Sequence, residues 1–212
     1  MKNKYYSTLS KILNEGILQT NKKGDIKYIL NEVISMQVED LKQIFQEHPI
    51  AKKKLAVELE MYMQGIDSVS KYNDAGIPWW DYCAPTLINS YPTYFKKLPA
   101  LIDKINSEKR ASKNYVLFIG ETGVKTNQLP CLSLIQFQIS QGKLHITVFQ
   151  RSADSSLGLP SDIYQIYLIS KLIDIELANI TFMIGNAHIY SNNLENTEKL
   201  LNGQKVKFEL NV

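Results

Sequence analysis

The chain is short of the residues that most directly advertise chemistry. Its 212 residues include only two cysteines, Cys83 and Cys131, and two arginines, Arg110 and Arg151. Two thiols can close at most one disulfide, which excludes a disulfide-stapled secreted scaffold. The three histidines are scattered, so no zinc-ligand spacing exists. Phosphate-loop and dinucleotide-binding glycine motifs are missing. No stretch approaches the roughly 20 apolar residues that span a bilayer. The opening "MKNKYYSTLSKIL" lacks the apolar core of a signal peptide. A cytoplasmic protein with free thiols and no membrane partner is expected. Neither sign of charge dominates: 24 basic and 21 acidic residues leave a net charge of +3. That balance is too mild to imply a nucleic-acid partner, and Lys52-Lys53-Lys54 reads as a solvated helix face.

The length suits a single domain over 1–212, large enough to bury a core unaided. Helical periodicity runs through 5–18, 51–64 and "LPALIDKINSEKR", with Gly65 as a C-cap and Pro99 in a first turn. "GDIKYILNEVISMQV" alternates in its first half, and "GIPWWDYCAP" reads as a loop. "NYVLFIG" reads as a strand. "LSLIQFQIS" and "KLHITVFQRS", separated by "QGK", read as a β-hairpin. "SDIYQIYLISKLIDIEL" is helical, with Ser161 or Asp162 placed to cap it. "ITFMIGNAHIYSNNLENTEKLL" reads as strand, loop and helix, and "KVKFELNV" as a closing strand. The expected class is α+β, a mostly antiparallel sheet packed with helices.

Several residues stand out chemically. Cys131 starts the hairpin near Arg151 and is either a nucleophile or a small buried apolar residue. With so few arginines, one inside the polar run "QRSADSSLGLPSDI" at 150–163 is informative. His188 and Tyr190, two apart, would point the same way on an extended segment, as a pair gripping a sugar or as structural residues. Glu58 lies mid-helix. Facing inward it would be desolvated and able to carry protons; facing outward it would be an ordinary solvated carboxylate. His48 and His145 are given no catalytic part.

Four stretches, in order, resemble the thymidylate synthase and pyrimidine hydroxymethylase family: "VELEMYMQGIDSVSKYNDAGIPWWDYCA" at 57–84, "LPC" at 129–131, "QRSADSSLGLPSDI" at 150–163 and "GNAHIYSNN" at 185–193. The resemblance implies a thymidylate synthase-like fold and a sheet-mediated homodimer. It implies a pyrimidine nucleoside monophosphate as substrate and 5,10-methylenetetrahydrofolate as co-substrate. Cys131 matches the nucleophile that adds to C6 of the ring. Arg151 and Ser152 match 5′-phosphate ligands, with Gln150 beside them. Asp154, Trp80 and Gly158 fall at the folate side. Glu58 matches the carboxylate that organises water, and His188 with Tyr190 the sugar-hydroxyl pair. Tyr91 or Tyr94 matches the tyrosine that helps remove the C5 proton.

Departures from the family pattern sharpen the expectation. The family has asparagine where this chain has Asp162. An amide can serve uracil's O4 and N3–H; a carboxyl suits cytosine, whose N4 donates and whose N3 accepts. The alternative is that Asp162 only caps its helix. The partner-contributed arginine pair is replaced by Lys113 and Asn114, with Arg110 close by. Lys22 or Lys23 replaces another phosphate arginine. Leu132 replaces the histidine after the nucleophile, Cys83 a folate-side tryptophan, and Asn186 stands near a lost aspartate. The chain stops at Val212, without the family's cofactor-covering tail. These features imply a cytidylate hydroxymethylase acting on CMP or dCMP, homodimeric and cytoplasmic. A thymidylate synthase acting on dUMP and a non-catalytic nucleotide-binding relative are the alternatives.

Overall fold

The structure, a computed structural model, describes residues 3–21, 24–126 and 129–210. Lys22 and Lys23 lie outside the described residues, as does Val212.

The chain opens with α1 (Lys4–Glu15), whose N-terminus Asn3 caps by accepting from the Tyr5 amide at 3.0 Å. Its apolar stripe of Tyr5, Leu9 and Ile12 is fully buried. The helix stops short of residue 18, and β1 (Ile17–Asn21) begins after Gly16. A Cβ on Gly16 would lie 2.4 Å from the Ile12 carbonyl, so only glycine lets the chain leave the helix this way. Next come β2 (Gly24–Gln37), α2 (Val38–Glu47), α3 (Lys52–Met63) and α4 (Val69–Asp74). Lys52, Lys53 and Lys54 are exposed, as a solvated face requires. Gln64 rather than Gly65 is the C-cap of α3; Gly65 follows it with φ of +72°.

"PWWDYC" is a 3-10 helix (Pro78–Cys83), not a loop, because Pro78 fits the first turn and needs no amide there. Then follow α5 (Tyr91–Phe95), α6 (Leu98–Glu108), β3 (Val116–Phe118), and the hairpin β4 (Leu132–Ser140) with β5 (Lys143–Gln150). The hairpin turn is built on Gln141 and Gly142, both with positive φ. The polar run then forms β6 (Ala153–Asp154) and enters α7 (Gly158–Ser170). Ser161 and Asp162 thus lie inside α7, so neither caps it. No side chain caps α7; just before it, Asp154 accepts from the Ser156 and Leu157 N–H groups at 3.1 and 3.3 Å and turns the chain into the helix. "ITFMIGNAHIY" is continuous strand in β7 (Leu177–Tyr190), and only Ser191–Asn193 turns before α8 (Leu194–Leu201).

Among the described residues the sheet has seven strands in the order β1-β2-β7-β5-β4-β3, with β6 also beside β7. Its pairs are antiparallel except β5 with β7 and β6 with β7. The long β2–β7 register, from Ile26↔Tyr190 to Gln37↔Asn179, forms the backbone of the domain. One face is covered by helices over Ile34, Ile146, Val148 and Phe182, with Ile166 of α7 in the same core. Among the described residues the expected closing strand does not form. Residues 204–210 are held by side chains: Asn193 donates to the Glu209 carbonyl at 2.8 Å and accepts its amide at 2.9 Å. A side-chain amide thus satisfies the backbone groups a strand neighbour would have paired. Among the described residues no helix is long and apolar enough to cross a membrane.

The β5–α7–β7 crossover decides where chemistry can sit. Parallel strands end together, so Gln150 and the 184–190 stretch of β7 reach the same edge of the sheet. The carboxyl ends of parallel strands are where open sheets bind ligands.

Candidate active site

After Gln150 the chain leaves the sheet but stays pinned to it. The Arg151 amide donates to the Cys131 carbonyl at 2.9 Å, and its own carbonyl accepts from the Asn186 amide at 3.1 Å. A Cβ on Gly185 would fall 2.8 Å from that carbonyl, so glycine is required for the close approach. The Ser155 amide then donates to the His188 carbonyl at 2.6 Å, and the Tyr5 hydroxyl donates to the Ser155 carbonyl at 2.9 Å.

This pinning gathers a first cluster at the start of β4. The Cys131 sulfur lies 3.5 Å from the Ser152 hydroxyl and 3.8 Å from Arg151 Nη2. The guanidinium is aimed by Nε on the Pro130 carbonyl at 3.1 Å and Nη2 on the Leu129 carbonyl at 2.8 Å. From the other side, the Tyr91 hydroxyl accepts from the Cys131 and Leu132 amides at 3.2 and 3.4 Å. Burial holds the Tyr91 hydroxyl far above the usual phenol range. The Tyr94 hydroxyl donates to Asn89 instead, so of the two tyrosines it is Tyr91 that meets the backbone of Cys131. Cys83, the other cysteine, is buried in the core.

A second cluster lies between α3, the 3-10 helix and α7. Glu58 faces inward and is 3% exposed. Its Oε1 accepts from the indoles of Trp79 and Trp80 at 2.6 and 2.7 Å, and its Oε2 from Gln165 Nε2 at 2.8 Å. Burial raises the Glu58 carboxyl above its ordinary range, against the pull of those donors. Asp162 stands one turn before Gln165 on α7. It is only partly covered, yet atoms crowd it densely enough that desolvation pushes its carboxyl up to about 7. Nearby Glu58 and Asp154 push the same way, and the Gln150 hydrogen bond opposes them. Gln150, fully buried at the end of β5, donates to Asp162 Oδ2 at 2.5 Å. Asp162 is therefore paired with the sheet, and a role confined to helix capping does not fit its place.

A third pair sits on β7. His188 and Tyr190 share a face, their rings perpendicular with centroids 5.2 Å apart. His188 Nδ1 lies 3.0 Å from Asn186 Oδ1, and burial lowers its basicity while Asp154 works against that. Asp154 itself spends Oδ1 on the Ser156 amide and hydroxyl and on the Leu157 amide.

The structure does not bring every candidate together. Arg110 is exposed and pairs with Glu108 at 3.2 Å. Lys113 is exposed beside β3, and its carbonyl accepts from Gln136. Neither meets the clusters within one chain. Gly158 starts α7, and a Cβ there would only touch Asp154 at 3.7 Å, an ordinary contact. Sequence reading passed over Trp79, Gln165 and Tyr62. Trp79 stands in a tryptophan doublet. Gln165 is the polar residue of an otherwise apolar inward helix face, one turn from Asp162. Tyr62 stacks on Tyr91 with centroids 5.4 Å apart.

The arrangement has the parts of a cysteine-centred covalent catalyst: a thiol beside a cation, and two acids whose surroundings raise their proton affinity. Among the described residues no group of three or more His, Cys, Asp or Glu side chains could hold a metal ion. The family model described as thymidylate synthase matches residues 3–211, and the chain belongs to the thymidylate synthase family. Members of that family take their one-carbon unit from methylenetetrahydrofolate. One similar relative is the thymidylate synthase of Staphylococcus haemolyticus (strain JCSC1435), 30% identical over 134 residues. That match covers 59% of this chain and 41% of the relative's length.

Proposed function

We propose that the protein is a cytidylate 5-hydroxymethylase acting on CMP or dCMP. One observation carries the reading: where the family pattern has asparagine, the Asp162 carboxyl meets the buried amide of Gln150 at the end of β5, and desolvation there pushes it up to about 7. Near neutrality such a group is present in both forms. Its neutral form donates to the cytosine N3 while the other oxygen accepts from the N4 amine. Uracil presents the reverse pattern and is disfavoured.

The other residues take roles around that reader. Cys131 adds to C6, with the Arg151 guanidinium 3.8 Å from its sulfur. Arg151 and Ser152 also hold the 5′-phosphate. Asp162 delivers a proton at N3 as negative charge develops on the ring. His188 and Tyr190 contact the sugar. Glu58, held by two indoles and an amide, positions water and carries a proton. Tyr91, rather than Tyr94, assists at C5. The surface beside the thiol fits a flat reduced folate. Trp80 lies 6.0 Å from Tyr91 and 6.2 Å from Tyr82 by ring centroids, and Tyr82 stays 44% exposed. Trp80, Asp154 and the backbone at Gly158 would hold it there. When bound, it supplies the carbon that C5 acquires, and water adds the hydroxyl.

The name of the staphylococcal relative favours a second reading, methylation of dUMP. Incubating CMP, dCMP, UMP and dUMP separately with methylenetetrahydrofolate and weighing the products decides between them. The expected result is a gain of CH2O on a cytosine nucleotide, with tetrahydrofolate left unoxidised. Methyl gain on dUMP alone, with dihydrofolate absorbance rising, would refute the first reading.

The outer sheet face supports a homodimer. Val33, Met183, Phe149, Leu134 and Phe118 pair in register across five strands, and Phe118 is 69% exposed. A contiguous apolar row on a sheet face marks an interface, and a second copy placed there could bring Lys113 and Arg110 to its partner's phosphate. Wild-type protein should sediment as a dimer at micromolar concentration, and Phe149→Lys as a monomer. A monomeric wild type would count against the arrangement.

A further inference from the structure

Gln150 is a buried amide with an unusual arrangement of partners. It sits at the last residue of β5, between Leu132 of β4 and Ile184 of β7, and is fully buried. Its Nε2 donates to Asp162 Oδ2 at 2.5 Å, while its Oε1 is buried with no hydrogen-bond partner. Strand pairing on both sides fixes the Gln150 backbone, and α7 fixes that of Asp162. The carboxyl can therefore turn only within what the amide permits.

An amide N–H satisfies a lone pair on Oδ2 and leaves no room for a proton between the two groups. A proton taken up by the carboxyl then prefers Oδ1, because the donated bond lowers the proton affinity of Oδ2. With the amide turned over, Oε1 would accept a proton carried on Oδ2, and Oδ1 would be a bare acceptor. The two amide orientations thus present two different faces of the same carboxyl. From this we infer that Gln150 is a positioning residue, whose N–H holds Asp162 so that Oδ1 carries the proton and presents it to the pyrimidine N3. The inference rests on the reading of Asp162 as the base reader, and it adds a specificity element outside the nucleotide's own contacts.

The test uses Gln150→Met, which keeps the shape and removes the N–H, with Gln150→Glu as a polar variant if the first folds poorly. The Asp162 carboxyl is titrated by carbon NMR in full-length protein without nucleotide. In parallel, kcat/KM is measured against pH for cytosine and uracil nucleotides. Removing the donor should move the Asp162 titration to higher pH, and with it the high-pH limb of kcat/KM. Gln150→Glu, which places two carboxyls together, should move it further in the same direction. Preference for cytosine over uracil should fall by about tenfold, the size of one charge-assisted hydrogen bond. Titration and preference both unchanged in Gln150→Met, while Asp162→Asn does alter preference, would overturn the inference alone. No change of preference in Asp162→Asn would instead remove the base reading on which it rests.

Discussion

Replacing Cys131 by serine should abolish release of tritium from C5 of a cytosine nucleotide. Hydrogen at C5 becomes labile only after a nucleophile has added to C6 and turned C5 into a carbanion equivalent. A thiol at this position is next to Arg151 Nη2 at 3.8 Å, and the Ser152 hydroxyl is 3.5 Å away. A serine hydroxyl there would need a base to take its proton, and neither neighbour is one. The residue after the nucleophile, where a histidine is usual, is the apolar Leu132. The loss should be at least about a thousandfold, as for removal of other nucleophiles. Binding of the nucleotide should survive, because the side chains proposed to hold its phosphate and sugar are left in place. Exchange that persists in Cys131→Ser would rule out thiolate attack, and nucleotide binding without exchange in the wild type would favour a non-catalytic relative.

Asp162→Asn should move base preference from cytosine toward uracil, by about a hundredfold or more in the ratio of kcat/KM values. Mispairing a site built for a donor and an acceptor leaves buried polar groups unmatched, and such penalties exceed those of lost apolar contact. The variant should also lose the high-pH limb of the profile, because an amide does not titrate. A stability measurement checks the same group without substrate. Burial holds the native carboxyl near 7, against an ordinary value of 3.8. The native state therefore keeps a proton that the unfolded chain releases across that window. Wild-type stability should fall as pH rises from about 4 to 7, and more steeply than that of the asparagine variant, which keeps only the other raised carboxyls. At pH 8 the variant should unfold at a higher temperature than wild type, with the difference vanishing near pH 4. Equal pH dependence in both would show that the Asp162 carboxyl is solvated rather than buried, and the base reading would lose its support.

Much of this geometry could be anticipated from patterns in the chain. The hairpin of β4 and β5 followed from period-two alternation around Gln141 and Gly142, where a tight turn needs positive φ. The resemblance marked Cys131, Arg151, Ser152, His188 and Tyr190 as candidates for one site. In the structure they lie along one edge of the sheet. Glu58 was ambiguous, because a helix carboxylate with apolar neighbours can face either way. Its orientation is decided by Trp79, Trp80 and Gln165, which arrive from separate elements. The expected cap at Ser161 or Asp162 failed for a related reason. Asp154 turns the chain by accepting the Ser156 and Leu157 amides, so the helix begins at Gly158, before either residue.

The sequence by itself determined which reactive groups this protein carries and which secondary elements bear them. Those properties depend on side-chain chemistry and on short-range periodicity, both legible along the chain. The tertiary structure alone decided that Asp162 meets a buried amide of β5, that Tyr91 and not Tyr94 meets the Cys131 backbone, and that the last segment is pinned by Asn193 rather than paired as a strand. Each of these depends on contacts between residues far apart in the chain and on the loss of water around them. Desolvation is a property of the packed surroundings, and no residue carries it in its identity.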